Sequence, residues 1–343
     1  MKKILYQRDL SCIGEKGELK LKSIIILYIL FSAFLGSAWG AEAKFPTKPI
    51  HIWVGWAGGG STDVLVRVAS SIAEKILGQP IVVENRPGGA GALVMGLLKN
   101  AKPDGYTLGA CTDTPFTRLP HTTGVKYDPL EDFTYITQLG NSRIGLVVRP
   151  DSPFKSFKGL LEFTRNNPGQ LTHGTPGVGN TTHLAMEKIA RVENVKIQHI
   201  FFHSASQVIT AILGGHVSCA STAASSFIPH VKAGTLKPLL MYYPPEGIEQ
   251  WPEVPTLKRL GYEFEIPLFE VIAAPKGVPK PIADKLIAAF SEAMKSPQYR
   301  DMARAQETIF SDKILSGDEL HKFVKIQFNF FGTLIKELDL QKK

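Results

Sequence analysis

The sequence predicts an α/β protein with two domains, each built on a mostly parallel β-sheet. The chain has 343 residues, of which 44% are hydrophobic. Short apolar runs alternate with segments of helical periodicity from about residue 48 to residue 295. This length is typical of two hydrophobic cores, and the alternation is typical of βαβ units.

The predicted elements follow the apolar pattern in chain order. The run IHIWVGW begins at Ile50 and predicts the first strand, and residues 63–77 place apolar side chains at helical spacing. The run IVVEN, which begins at Ile81, predicts the second strand. Six further strands are predicted from the runs YTLGAC, IGLVVRP, LTHGT, KIQHIFF, HVSCAST and LKPLLMY.

Residues 1–40 are interpreted as a cleaved secretory signal peptide. Lys20 and Lys22 precede the apolar run SIIILYILFSAFLGSA, and the small residues Ala38 and Gly40 provide a cleavage site before Ala41. A membrane anchor is the alternative, but the run is shorter than the roughly 20 residues that a spanning helix needs. We therefore expect an exported mature protein.

Charge and cysteine content restrict the class of partner. The formal net charge is +8, and residues 1–40 carry six Lys/Arg against three Asp/Glu, which leaves +5 after cleavage. The remaining charges are scattered, so nucleic-acid binding is not expected. The mature chain keeps only Cys111 and Cys219, and the sequence leaves open whether they pair.

The stretch GWAGGGSTD, from Gly55 to Asp63, predicts an anion-binding loop. An apolar strand stops there, three glycines follow, and Ser-Thr-Asp begins a helix. The first N–H groups of a helix have no partner within it and carry the positive end of its dipole, while glycine lets a ligand approach the backbone. A capped helix without a ligand is the alternative. The stretch GVGNTTH, from Gly177 to His183, repeats the pattern and favours one such loop on each wall of a cleft.

Nucleotide-binding and catalytic interpretations fit less well. The glycine spacing matches neither a phosphate-binding P-loop nor the dinucleotide fingerprint. A hydrolase would use Ser61, His183 and Asp63, yet the chain has no Gly-x-Ser-x-Gly motif, and Asp63 would share a helical turn with its nucleophile.

A metal site is also not expected from the histidines. His199, His203 and His216 lie in one region of the sequence, but no cysteine or carboxylate cluster completes a metal site beside them. We therefore expect no metal and no cofactor.

Several motifs taken together resemble the Bug-type extracytoplasmic solute receptors of tripartite tricarboxylate transporters, over nearly the whole mature chain. The motifs are FPTKPIHIWVGWAGGGSTDVLVRVAS, LGQPIVVENRPGGAGALVMGLLKNAKPDGYTL, YDPLEDFTYITQLG, GVGNTTHLAMEKIA, ILGGHVSCAS, HVKAGTLKPLL, WPEVPTLKRLGY and AAPKGVPKPIADKLIAAF. The resemblance implies a periplasmic binding protein-like fold, in which crossing hinge strands join two α/β domains around a ligand cleft. It further implies a monomeric, non-enzymatic periplasmic protein that captures a small organic anion, such as a carboxylate, for a membrane permease. A ligand-sensing receptor that signals to a sensor partner is the alternative.

The resemblance also implies domain boundaries and site residues. Domain 1 is expected at residues 45–142 plus 268–343, and domain 2 at residues 143–267. The expected ligand-binding residues are Gly58, Gly59, Ser61, Thr62 and Asp63 on one wall, and Gly179, Asn180, Thr181 and Thr182 on the other. Secondary candidates are Arg86, Thr112, His203, Ser221, Thr222 and Phe269.

The chain departs from the family pattern at several of these positions. The usual proline before the first glycines is Ala57, and the usual tryptophan of the returning hinge strand is Phe269, followed by an unusual Glu270. These departures lie in the part of the pocket that would read the remainder of the ligand. The resemblance therefore leaves the identity of the acid open.

Overall fold

The computed structural model describes residues 45–244, 251–309 and 314–341, and the described residues from Lys48 onward form one compact unit. The predicted signal peptide and its cleavage site lie outside the described residues. Within the described ranges, no helix combines the length and the apolar character needed to cross a membrane.

Eleven strands and eleven α-helices are defined in the part of the chain that the structure describes. The strands are β1 (Ile50–Val54), β2 (Ile81–Asn85), β3 (Thr107–Thr112), β4 (Phe133–Ser142), β5 (Ile144–Val148), β6 (Thr172–Thr175), β7 (Gln198–Phe201), β8 (Cys219–Ala223), β9 (Lys237–Tyr243), β10 (Leu268–Pro275) and β11 (Thr308–Ile309). The helices are α1 (Ser61–Leu77), α2 (Ala92–Lys99), α3 (Thr114–Thr117), α4 (Leu119–Thr122), α5 (Phe157–Asn166), α6 (Thr181–Val192), α7 (Ala205–Leu213), α8 (Ala224–Lys232), α9 (Lys280–Lys295), α10 (Pro297–Ala305) and α11 (Gly317–Glu337).

The strands form two sheets, which confirms the α/β class. The first sheet has the order β11-β4-β10-β3-β1-β2, and the second has the order β7-β6-β8-β5-β9. Both sheets are mixed: β10 runs antiparallel to β3 and β4, and β5 runs antiparallel to β8 and β9. The prediction of mostly parallel sheets missed these reversals.

The reversed strands β5 and β10 are the first strands after each crossing between the sheets. Strand β4 ends at Ser142 and β5 begins at Ile144, so Arg143 alone separates the last strand of one sheet from the first strand of the other. A strand that comes from the other sheet begins beside the carboxyl ends of its neighbouring strands. It must therefore run antiparallel to them. The sequence pattern of βα units contains no signal for this entry direction.

Buried apolar clusters lie on both sheets. Among the described residues, one such cluster packs around Cys111, Phe133 and Phe269 on the first sheet, and two others pack on the second sheet. Helix α11 contributes to both sides: Leu320 and Val324 pack in the first-sheet cluster, whereas Phe331 and Leu334 pack in a second-sheet cluster. The predicted domain boundaries remain a prediction, with α11 shared between the two cores.

Two cysteines lie in the described residues, and both are buried, free and placed in different cores. Cys111 belongs to the first-sheet cluster and Cys219 to a second-sheet cluster. The question of pairing that the sequence left open is answered, because these thiols form no disulfide. Burial raises the pKa of Cys111 to about 12, so its thiol stays protonated.

Candidate functional site

The carboxyl edges of the two sheets adjoin at Arg143. Ile144 is paired with Ala223 and Tyr243, which lie at the carboxyl ends of β8 and β9. Ser142 is the last residue of β4, which has the same direction as β1 and β3 because both β3 and β4 run antiparallel to β10. The loop after β1 leaves the first sheet at its carboxyl edge, and the loop after β6 leaves the second sheet at its carboxyl edge. Arg143 connects these two edges.

The first loop joins β1 to α1 and is held by its own helix. Gly59 has a φ of +80°, which favours glycine, and the N-cap residue Gly60 supplies no side chain to the helix. The N–H of Gly59 donates to Oδ2 of Asp63 at 2.9 Å. The first intrahelical bond runs from Val64 N–H to Gly60 O, so the N–H groups of residues 61–63 lie outside the hydrogen bonds of the helix.

Asp63, predicted as a ligand-binding residue, is bonded within the protein. Its carboxylate accepts from Arg67 Nε at 2.9 Å and from Asn85 Nδ2 at 2.8 Å, in addition to Gly59. Burial alone would raise the pKa of Asp63, but these hydrogen bonds outweigh it and lower the pKa below its usual value. Asp63 thus supports the loop as an anion whose charge Arg67 balances.

The second loop joins β6 to α6 with a related construction. Gly179 has a φ of +71°, and its N–H donates to Nδ1 of His183 at 3.0 Å. Asn180 is the N-cap and accepts from the His183 N–H at 2.8 Å. In both loops a glycine of positive φ is tied to the side chain four residues later, on the first turn of the following helix.

Asn180 and Thr182 have their polar side-chain atoms committed to this loop. Asn180 Oδ1 also accepts from the hydroxyls of Thr175 and Thr182, and its Nδ2 donates to Pro176 O. The Thr182 hydroxyl lies 2.7 Å from that of Thr175. These contacts make both side chains internal supports of the second loop.

The first residue of each helix carries a buried hydroxyl without a partner. Ser61 begins α1 and Thr181 begins α6, and neither Ser61 Oγ nor Thr181 Oγ1 has a hydrogen-bond partner among the described residues. Trp56 Nε1 and Thr112 Oγ1, at the carboxyl ends of β1 and β3, are also unpartnered there. Buried polar atoms are nearly always hydrogen-bonded, so unpartnered atoms at these two adjoining edges indicate a place for a polar ligand.

The second loop approaches elements of the first sheet. A Cβ placed on Gly179 would lie 3.7 Å from Thr122 Cγ2. Thr122 ends α4, which follows β3 at its carboxyl end. The second loop is therefore adjacent to the same edge of the first sheet from which the first loop emerges.

The other predicted site residues have varied surroundings. Gly58 is exposed, and Thr62 is buried at the start of α1. The Arg86 guanidinium pairs with Glu84 Oε2 at 2.7 Å and lies 4.2 Å from the Trp53 ring centroid, so its charge is already balanced. His203 is exposed, and its N–H donates to Gln207 Oε1.

Three of the secondary candidates are fully buried. Ser221 Oγ lies 2.7 Å from both His173 Nε2 and Tyr242 Oη, and Thr222 Oγ1 donates to Ala223 O. Phe269 packs in the first-sheet core against Phe323, with ring centroids 4.9 Å apart.

A cluster of histidines and one glutamate adjoins the second loop, and sequence reasoning missed it. His183, Glu187 and His199 place one ligand atom each within 4.8 Å of one another. His199 Nε2 lies 2.9 Å from Glu187 Oε1, and its Nδ1 lies 2.9 Å from His173 Nδ1. Glu187 follows His183 by one helical turn, and this i, i+4 spacing was the available signal.

The hydrogen bond from Gly179 limits what this cluster can bind. Because His183 Nδ1 accepts the Gly179 N–H, a neutral His183 carries its proton on Nε2, the nitrogen that faces Glu187 at 3.7 Å. A protonated nitrogen has no lone pair for a metal ion. The trio is therefore not a ready metal site while the Gly179 bond is in place.

The suggested hydrolase arrangement is not assembled. The polar contacts described for His183 lead to Gly179, Asn180 and Glu187, and those of Asp63 lead to Gly59, Arg67 and Asn85. Within the described residues these contacts do not link Ser61, His183 and Asp63. The geometry is that of two supported loops rather than of an activated nucleophile.

Two cavities lie away from the glycine loops. One of about 360 Å³ is in the second-sheet region, beside Trp251 and Pro238. The other, of about 350 Å³, lies between Gln138, Tyr243 and Gln327. Neither is lined by a residue of the two loops, so the unpartnered hydroxyls do not belong to either cavity.

Comparison with known proteins gives consistent similarities. The model of the family described as "Tripartite tricarboxylate transporter family receptor" matches residues 65–340. A UPF0065 protein of Cupriavidus necator is 42% identical over 259 residues, 75% of this chain and 78% of that protein. The protein BugT of Bordetella pertussis is 26% identical over 321 residues, 92% of this chain and 97% of that protein. A solved structure described as a periplasmic transporter is 30% identical, with a TM-score of 0.77 over 87% of this chain and 99% of that one.

Proposed function

Since this chain belongs to the tripartite tricarboxylate transporter receptor family, we propose that it captures a small organic acid between its two glycine loops. The predicted resemblance and the solute-binding role are confirmed by this membership. The binding site and the partners below are our proposals.

The matched pair of unpartnered hydroxyls carries the proposal. Ser61 Oγ and Thr181 Oγ1 occupy the same position of two helices that begin beside adjoining sheet edges. A carboxylate between the loops would accept from one hydroxyl on each side and from the free N–H groups at each helix start. Hydrogen bonds of this kind, to a charged acceptor, contribute about 1.5–3 kcal/mol each.

The charges around the loops favour recognition through hydrogen bonds rather than through an ion pair. Arg67 is bound to Asp63, and Arg86 is bound to Glu84. Both arginines are thus already neutralised by a carboxylate. The acid is then bound by hydroxyls and helix N-termini, whose dipoles favour an anion.

The same arrangement supports a protein of two lobes that close on the ligand. The crossings at residues 142–144 and before residue 268 act as hinges, and the predicted domains move about them. Binding draws the loops together, and a membrane permease recognises the closed form. Residues 1–40 direct export to the periplasm and are removed, and the mature protein acts as a monomer without catalytic activity.

Mass spectrometry of the purified mature protein tests the proposal. After denaturation, the released small molecules should include a carboxylic acid in stoichiometric amount and chemically unchanged. The stripped protein should regain a raised melting temperature when that acid is returned. A stripped protein that is not stabilised by any mono- or dicarboxylate, or that converts the acid, would contradict the proposal.

A further inference from the structure

We propose that His183 is the positioning residue of the second loop, and that only its neutral imidazole holds Gly179 in place, so that acidification loosens this wall of the site. The inference rests on the proposed function for its biological meaning. Its physical basis is the hydrogen bond from Gly179 to His183, which is lost when the imidazole gains a proton.

The Gly179 bond requires a bare nitrogen on His183. The N–H of Gly179 points at Nδ1 over 3.0 Å, and the side chain of His183 is only 3% exposed. When the ring gains a proton, both of its nitrogens become donors. Two donors would then face each other inside the protein, and the Gly179 N–H has to move away.

The groups around His183 keep the ring neutral near pH 7. Burial lowers the pKa of His183, and the neighbouring His199 lowers it further, while Glu187 acts in the opposite direction. His173 lies beyond His199, and burial together with the other histidines lowers its pKa as well. Glu337 of α11 is paired with Lys188 of α6. The second loop should therefore loosen only at a pH below the ordinary pKa of histidine.

The first loop provides the comparison within the same chain. Asp63 holds Gly59 from the equivalent helix position, but its carboxylate remains an acceptor at every pH above its lowered pKa. Acidification that protonates His183 therefore acts on the second wall, while the first wall stays unchanged as long as Asp63 remains ionised. The inference therefore predicts that acid loosens the second loop and not the first, although the two loops are built alike.

Nuclear magnetic resonance of the ligand-free protein tests the inference directly. At pH 7.5 the ring nitrogens of His183 should report the tautomer with the proton on Nε2. As the pH is lowered from 7.5 until His183 has titrated, the Gly179 amide proton should shift with the same midpoint as His183, and its protection from exchange should fall by roughly tenfold. The amide of Gly59 should not shift.

Three variants separate positioning from general structural damage. His183→Asn keeps an acceptor near the position of Nδ1 without a titrating group, so Gly179 should stay protected and pH-independent. His183→Leu removes the acceptor, and Gly179 should be unprotected at every pH. His216→Asn changes an exposed histidine outside the cluster and should reproduce the wild-type titration.

Several outcomes would overturn the inference. A proton on Nδ1 at pH 7.5, or a Gly179 amide that stays still while His183 titrates, would each do so. Stabilisation by Zn²⁺ alone that is lost in Glu187→Gln and His199→Asn would assign the cluster to a metal instead. If Gly179 follows His183 but the protein binds no acid, the proposed function fails while the positioning role stands.

Discussion

The backbone N–H of Gly59 donates to the carboxylate of Asp63 at 2.9 Å, from a residue whose φ is +80°. Gly179 and His183 repeat this relationship on the second loop. In both cases the helix that follows the loop holds the loop in shape. The hydroxyl at the start of each helix has no hydrogen-bond partner among the described residues, and this makes it available to a ligand.

Thr181→Val should separate binding from stability. Valine keeps the shape of threonine and removes a buried hydroxyl that has no partner, so the free energy of unfolding should stay the same or rise slightly. Affinity for the acid should fall by roughly 10- to 100-fold, because one hydrogen bond to the carboxylate is lost. Urea denaturation and calorimetric titration measure the two effects.

The neighbouring Thr182 is the matched control for this experiment. Its hydroxyl bonds to Thr175 and Asn180, so Thr182→Val should destabilise the protein by about 1 kcal/mol. A Thr181→Val protein as destabilised as Thr182→Val, with its affinity unchanged, would show that the Thr181 hydroxyl has no role in the site.

Gly59→Ala should weaken the first loop through backbone strain alone. A Cβ at this position meets no atom within 4 Å, yet the φ of +80° is unfavourable for alanine by about 1–2 kcal/mol. The loss should appear in both stability and affinity. Gly96→Ala is the control, because this helical position has equal space and ordinary φ, so it should stabilise the protein by about 0.5–1 kcal/mol. Equal effects of the two substitutions in thermal denaturation would refute the strain argument.

Glu270 should make the protein less stable as the pH rises. Burial raises the pKa of Glu270 to about 8, and Ser142 Oγ donates to its Oε1 at 2.8 Å while its Oε2 is unpartnered in the described part of the chain. The folded state therefore keeps a proton that the unfolded state loses from about pH 4.5 upward. Stability should fall between pH 4.5 and pH 8, with a slope of at most about 1.4 kcal/mol per pH unit.

Glu270→Gln should remove this contribution, because glutamine keeps an oxygen for Ser142 and has no proton to lose. The difference in unfolding free energy between variant and wild type, measured in urea at each pH, should grow from pH 5 to pH 8. Glu292→Gln is an exposed change on α9, and its unfolding free energy should vary with pH in the same way as that of the wild type. Parallel profiles for Glu270→Gln as well would show that the carboxyl of Glu270 is ionised throughout.

The sequence was sufficient to predict the α/β class, most strands and both glycine loops, because periodicity and glycine runs are local features. It did not reveal the reversal of β5 and β10 or the sharing of α11, since both depend on how the chain passes between the sheets. Within the site, the loops were predicted as units. The division between supports such as Asp63 and unpartnered groups such as Thr181 became visible only once the hydrogen bonds were known.

The central claim is that one carboxylate lies between Ser61 and Thr181, and a crystal structure of the complex with the co-purifying acid tests it most directly. The account predicts carboxylate oxygens within about 3 Å of Ser61 Oγ and Thr181 Oγ1, close to the free N–H groups at both helix starts. The complex should bring the two loops onto opposite sides of the same ligand. An acid bound in the cavity beside Gln138, or bound through the side chain of Arg86, would contradict the account.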